Sequence, residues 1–224
     1  MAWEIQHLAN IQASEPATKA ITIVANRHQM LVLVLGSTDG RDYRITTATF
    51  DGNTLTRPAG FPVRYNDDGK ATVDLMYIDI SGKTSGIYNL YYNVSTGSPD
   101  DGGIAYFLVR GGDQSNLIAD SDANTGNGGN ASTALATTRA SSMLIDVFFS
   151  DRNANLTVGA SQTQIFQYDP PGTSGTDRMG ASYKEVTAIG AQQMYWTGSN
   201  EEWAHGAIAI NKAHNSGAFI LDVL

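Results

Sequence analysis

Apolar and polar positions alternate with a period of two over most of the chain, which is the pattern of β-strands. Met30-Leu31-Val32-Leu33-Val34-Leu35 is an unbroken apolar run of strand length closed by Gly36, and it predicts a strand buried on both faces. Thr46 to Phe50 is rich in β-branched residues and stops at Asp51-Gly52, a hairpin turn signal. Val73 to Ile80 sets Val73, Leu75 and Tyr77 against Asp74, Met76 and Ile78, and Tyr88 to Val94 places Tyr88, Leu90 and Tyr92 on one face. Ile104 to Val109 is a further apolar strand, stopped by Gly111-Gly112.

The second half runs in the same order. Met143 to Phe149 matches the first apolar run, and strands follow at Thr163–Tyr168, Ala181–Val186, Gln192–Trp196 and Ala204–Ile210. Met30-Leu31-Val32 aligns with Met143-Leu144-Ile145, and Gly103-Ile104-Ala105 with Gly206-Ala207-Ile208. An internal duplication is one reading; chance spacing in a protein of about ten strands is the other. Both give an all-β fold, a two-sheet antiparallel sandwich of jelly-roll type, because packing sheets together covers apolar faces and protects strand edges. The expected organisation is an N-terminal arm over 1–20, one sandwich over 21–212 and a C-terminal tail over 213–224. The Asn- and Gly-rich segment 113–135 reads as a long loop over the sandwich. Ala2 to Ile11 reads as one short helical turn.

Composition narrows the function. Of 224 residues 42% are hydrophobic, enough for a real core, while only 16% are charged, below the usual ~25%. The net charge of −8 argues against nucleic acid, which requires clustered Lys and Arg, and against an anionic membrane surface. No apolar run is long enough to cross a membrane as a helix. With no cysteine, disulfides, cysteine-based zinc sites and cysteine nucleophiles are excluded. Residues 1–7 lack the basic start and unbroken apolar stretch of a secretory leader, so synthesis in the cytoplasm is expected.

Catalytic and metal signatures are sparse. Asp120, Asp122 and Asn124 alternate oxygen side chains as a calcium loop does, but Thr125 stands where such a loop needs Gly and Ala131 where it needs an acid. A solvated turn explains the same residues. His7, His28, His205 and His214 form no metal-binding pair at helical spacing, and His205 reads as a bystander bonded across a strand or at a subunit contact. There is no Gly-x-Ser-x-Gly elbow and no phosphate loop. The acid pairs Asp67-Asp68, Asp100-Asp101 and Glu201-Glu202 each sit side by side, whereas glycoside hydrolysis needs carboxyls facing across ~5–10 Å. No cofactor and no catalytic residue are expected. Aromatics cluster at Tyr88, Tyr91, Tyr92, Tyr106 and Phe107, and again at Phe166, Tyr168, Tyr183, Tyr195, Trp196 and Trp203; core filling accounts for most of them, and sugar stacking or an interface is the alternative.

Set out in this order, the chain resembles a β-sandwich domain of tailed-phage structural proteins and of bacterial surface or secreted proteins. The residues that carry the resemblance are Asn26-Arg27-His28-Gln29-Met30-Leu31-Val32, Thr49 to Leu55, Val158 to Thr163, Ala181-Ser182-Tyr183-Lys184 and Trp203 to Ile210. They span about residues 20–212 and are structural motifs, with no shared catalytic residue to transfer. The resemblance implies a virion component on the capsid surface, a decoration or cement protein that binds the major capsid protein on the outside of a phage head, and a homotrimer. A carbohydrate- or receptor-binding module, such as a tail-associated adhesin, is the alternative. Trp3 and Ile5 near the start, and Phe219, Ile220 and Leu221 in the apolar tail, are the expected contact residues.

Overall fold

The computed structural model describes residues 4–12, 16–25, 30–38, 43–65, 70–95, 102–113, 116–151, 156–170 and 177–212, less the side chains of 11, 12, 199 and 200. Fifteen strands run through them: β1 (Glu4–Gln12), β2 (Ala17–Ile23), β3 (Met30–Ser37), β4 (Ile45–Phe50), β5 (Asn53–Thr54), β6 (Val63–Tyr65), β7 (Ala71–Asp79), β8 (Gly86–Val94) and β9 (Gly102–Arg110), then β10 (Ile118–Thr137), β11 (Ser142–Ser150), β12 (Thr157–Val158), β13 (Thr163–Tyr168), β14 (Arg178–Val186) and β15 (Gly190–Ile210). Every ladder between them is antiparallel. The all-β antiparallel sandwich expected from the patterning is what forms.

Its layering is deeper than a pair of sheets. A first central sheet has the order β1-β9-β3-β7-β6, a second has β10-β15-β11-β14-β13, and an outer sheet has β2-β8-β4-β5. β3 shows why the apolar run is continuous. Leu31, Leu33 and Leu35 face the core beneath the outer sheet, and Met30, Val32 and Val34 face the core between the two central sheets. β9 divides in the same way, with Ile104, Tyr106 and Leu108 on one side and Ala105, Phe107 and Val109 on the other.

The two central sheets are filled place for place by corresponding strands of each half, β1 by β10, β9 by β15, β3 by β11, β7 by β14 and β6 by β13. The outer sheet's β2, β8 and β4 have counterparts in the far half of β10, the near half of β15 and β12. The structure therefore repeats one jelly-roll strand order twice. Met30 and Met143 open equivalent strands. The alignment of Gly103 with Gly206 does not fit the same register: Gly103 lies opposite Gly36, six residues past Met30, whereas Gly206 lies opposite Val147, four past Met143. The halves pack with β1 over β13, β6 over β10 and β3 over β11. Strand order in one sheet thus opposes that in the other, the relation produced by a two-fold axis between them, as in an isologous dimer.

Two expectations are corrected. The described residues of the expected arm over 1–20, namely 4–12 and 16–20, do not stand outside the sandwich: β1 pairs with β9 along its length and β2 forms the edge of the outer sheet. A bulge between His7 and Ala9 interrupts the alternation in β1, so its apolar residues imitate a helical spacing. The segment 113–135 is not a long loop, since residues 118–137 form the twenty-residue β10. β10 pairs with β15 from Ile118↔Ile210 to Thr137↔Gly190, with irregularities around Gly129. Midway, this ribbon bends sharply and its far half folds back over the outer face of the second central sheet. Gly128, Gly129 and Gly198 adopt φ of +67°, +71° and +96° there, a region costly for residues with a Cβ. The folded-back arm is held by Leu135 and Met194 against Leu144, and by Trp196 stacked obliquely on Phe148 with ring centroids 4.3 Å apart. The tail 213–224 lies outside the described residues.

Candidate functional site

Among the buried polar residues described, Asp146 and Asp74 each stand within an apolar strand and gather a bonded group. A buried carboxylate must be bonded on every side or its desolvation is uncompensated. Asp146, in the middle of β11, is fully buried where the arm meets the second central sheet. Ser182 donates to its Oδ1 through both N–H (2.8 Å) and Oγ (2.7 Å). Its Oδ2 receives Trp196 Nε1 at 3.2 Å and Gln162 Nε2 at 3.3 Å, and lies 3.1 Å from His205 Nε2. On the other side of the His205 ring, Nδ1 is 2.7 Å from Thr133 Oγ1. A neutral ring protonated at Nε2 satisfies both contacts, donating to the carboxylate and accepting from the threonine.

Thr133, His205 and Asp146 line up as hydroxyl, imidazole and carboxylate, but Asp146 and His205 are completely buried and Thr133 nearly so. Sealed from solvent, the group acts as a joint. Thr133 and Trp196 belong to the arm, Asp146 and Ser182 to the sheet beneath, and His205 to the near end of the arm's own ribbon.

The second acid, Asp74 on β7, is buried in the first half. Arg57 grips it side-on, with Nε donating to Oδ1 and Nη2 to Oδ2, each at 2.9 Å. The N–H groups of Ile45 and Leu75 donate to it at 2.9 Å, and Arg57 also bonds the Ile45 carbonyl. Burial nevertheless raises the Asp74 carboxyl above its ordinary pKa, with the Arg57 bond and charge and the two backbone bonds opposing that rise.

The oxygen-rich run that resembled a calcium loop lies along the near half of β10. Asp120 Oδ2 accepts the N–H of Ala136 at 2.6 Å, and Asn124 Nδ2 donates to the Ser132 carbonyl at 3.2 Å. Both bonds reach the folded-back half of the same strand, so these side chains cap its free edge. Asp122 Oδ1 accepts from the next N–H in the chain, that of Ala123, at 2.8 Å. Among the described residues no three His, Cys, Asp or Glu side chains converge to hold a metal ion. Of the expected contact residues, Ile5 is half-buried and packs on the core between the central sheets. Trp3, Phe219, Ile220 and Leu221 lie outside the described residues, as do the pairs Asp67-Asp68 and Asp100-Asp101. The late aromatics are largely core, Trp196 fully so. A depression of about 290 Å³ lies between Asn53, Asp79 and Lys83; Lys83 Nζ is already paired with Asp51 Oδ2 at 2.5 Å and lies 5.2 Å from the Tyr88 ring centre.

Sequence reasoning singled out Tyr91 among the clustered aromatics but missed Ile87, its exposed neighbour on β8. Ile87 is 73% exposed and Tyr91 37%, both on the solvent side of the outer sheet. The alternation already carried the signal: with Tyr88, Leu90 and Tyr92 inward, Ile87 and Tyr91 point out.

Strand order and layering define the class, a tandem jelly-roll sandwich in which each half contributes one roll. No protein-family model matches the chain, and no curated protein matches it by sequence. Among solved structures, "Crystal Structure of the STIV MCP" aligns over 99% of this chain and 100% of that one, at 8% identity and a TM-score of 0.33. An "anti-sigma factor domain-containing protein" aligns over 89% of this chain and 76% of that one, at 7% identity and a TM-score of 0.24. Neither likeness is close enough to bear on function.

Proposed function

We infer that the chain is a virion structural protein, a capsid decoration or cement protein that binds the outer surface of a phage head. The observation that carries this reading is the pair of jelly rolls fused through one continuous core between the central sheets. Jelly rolls recur in capsid and lectin domains, and this warrant is an analogy of fold. The interior supports it: Asp146, His205 and Asp74 are tied into bonds that hold layers together, which suits a rigid building part. The acidic net charge fits a partner other than nucleic acid. Many copies, each weakly bound to the major capsid protein, would stiffen a shell through avidity. Homotrimers on the lattice and a capsid-surface location complete the reading.

The test is the stoichiometry of purified virions by quantitative gel, together with heat-induced genome release from particles with and without the protein. Copies in the hundreds and earlier release from stripped particles are expected. Copies in the tens or fewer, with binding on a glycan array, would move the protein to a tail adhesin. Absence from purified particles would overturn the virion role.

A further inference from the structure

We propose that Asn127 is a site of spontaneous covalent modification: its side-chain amide is displaced by the next backbone nitrogen, and the carboxylate left behind, facing Glu202, loosens the bend of the long ribbon. This chemistry meets least hindrance when glycine follows asparagine, because glycine brings no Cβ against the attacked carbon and leaves the backbone free to turn. Asn127-Gly128 is the single Asn-Gly pair in the 224 residues.

The structure leaves that pair room to react. Asn127 is exposed, and the ladder breaks immediately after it: Asn127 lies opposite Glu202 and Gly129 opposite Ser199, so Gly128 has no register partner. A Cβ on Gly128 or on Gly129 would meet nothing within 4 Å. The Asn127 amide is tethered by a long bond, Nδ2 to Glu202 Oε1 at 3.3 Å. Asn124, on the same strand, shows the opposite case. Its Oδ1 accepts the N–H of Thr125 at 2.9 Å, so the nitrogen that would attack is already bonded, and the residue that follows is β-branched.

In the reaction Gly128 N gives up its proton to water or hydroxide and bonds to Asn127 Cγ. The Cγ–Nδ2 bond breaks and ammonia leaves, closing a five-membered succinimide. Water then opens the ring at one carbonyl to aspartate on an ordinary backbone, or at the other to isoaspartate, whose side-chain carbon joins the main chain. Both products replace a donor to Glu202 with a like charge. Lys70 Nζ, 3.5 Å from the same Glu202 oxygen, offsets part of it. Isoaspartate also lengthens the chain where the bend is fastened: Trp203 Nε1 donates to the Gly128 carbonyl at 3.0 Å, and the indole lies where a Cβ on Gly126 would stand.

The full chain, incubated folded at about pH 8 and 37 °C and sampled over weeks, is mapped by peptide mass spectrometry. Asn127 should convert ahead of every other asparagine, to a mixture of aspartate and isoaspartate. Asn127→Gln, which would have to close a larger ring, should stay intact. Hydrogen exchange gives the second readout. Asn127→Asp should speed amide exchange over 126–131 and 201–203 by about two- to fivefold, the range of an exposed charge pair, with β3 and β9 unchanged. Added salt should shrink that effect. Asn127 that stays intact in the folded chain while it converts in urea-unfolded chain overturns the proposal, as does unchanged exchange at the bend in Asn127→Asp. The measurement uses isolated protein, so its outcome is independent of whether virions contain the chain.

Discussion

Replacing Asp146 with Ala removes the acceptor on which five donors converge. Gln162 is half-exposed, and its Nε2, which also donates to Ser182 Oγ at 2.8 Å, can turn its second hydrogen to water. Four buried donors remain stranded: the N–H and O–H of Ser182, Trp196 Nε1 and His205 Nε2. Each unsatisfied buried donor costs about 1–3 kcal/mol, so a loss of about 5 kcal/mol is expected. At roughly 2–4 °C per kcal/mol for a chain of this size, the Tm should fall by about 10–20 °C. Thermal and urea unfolding followed by tryptophan fluorescence measure it. The loss has a location: Thr133 and Trp196 tie the arm down, so amide protection should fall first over 129–137 and 190–197 and later in β3 and β9. Asp146→Asn, which keeps an acceptor for Ser182, should lose less. A fall below about 1 kcal/mol, or uniform loss of protection, would refute the account of Asp146 as the joint between arm and sheet.

Gly206→Ala should cost about 2 kcal/mol, because the new Cβ would run into the Phe61 ring edge at Cε1 and Cζ in the core between the central sheets; urea unfolding checks it. Arg57→Ala should cost about 3–5 kcal/mol at neutral pH by leaving Asp74 buried without its cation. Because the folded pKa of Asp74 is raised, its ionisation removes stability as pH rises from 3.8 through that value, so the Arg57→Ala defect should shrink in acid; unfolding at pH 3.5 and 7 tests the sign. Tyr92→Phe should be neutral or stabilising by up to about 1 kcal/mol, since the buried hydroxyl has no bonding partner among the described residues. Burial raises the Tyr92 pKa from 10.0 to about 12, so the wild type should lose stability between those values as the unfolded chain releases its proton first, and Tyr92→Phe should flatten that slope in urea titrations at pH 9 to 11.

The well-alternating strands were legible in the sequence because one face or both meet apolar partners; Met30 to Leu35 and Met143 to Phe149 are the clearest cases. β1 was hidden by its bulge, which breaks the period at Leu8. β10 was hidden by composition, since Asn, Gly, Ser and Thr signal turns when read locally. It is a strand because β15 supplies a continuous partner and only Ala131, Thr133, Leu135 and Thr137 of its far half need to be buried. Asp146 and Asp74 were visible as acids inside apolar runs, an anomaly that requires bonded partners. Those partners were not visible: Ser182, Trp196 and His205 are distant in the chain, and only the bend in the ribbon brings Trp196 to the carboxylate and Thr133 to His205.

The capped edge of the folded-back strand has a consequence for crowding. An open strand edge is a template on which another chain can extend a sheet without limit. Where Asp120 and Asn124 occupy the Ala136 amide and the Ser132 carbonyl, an incoming strand would first have to evict side chains already seated there. Copies brought to high local density are thereby steered away from amyloid-like growth along this margin.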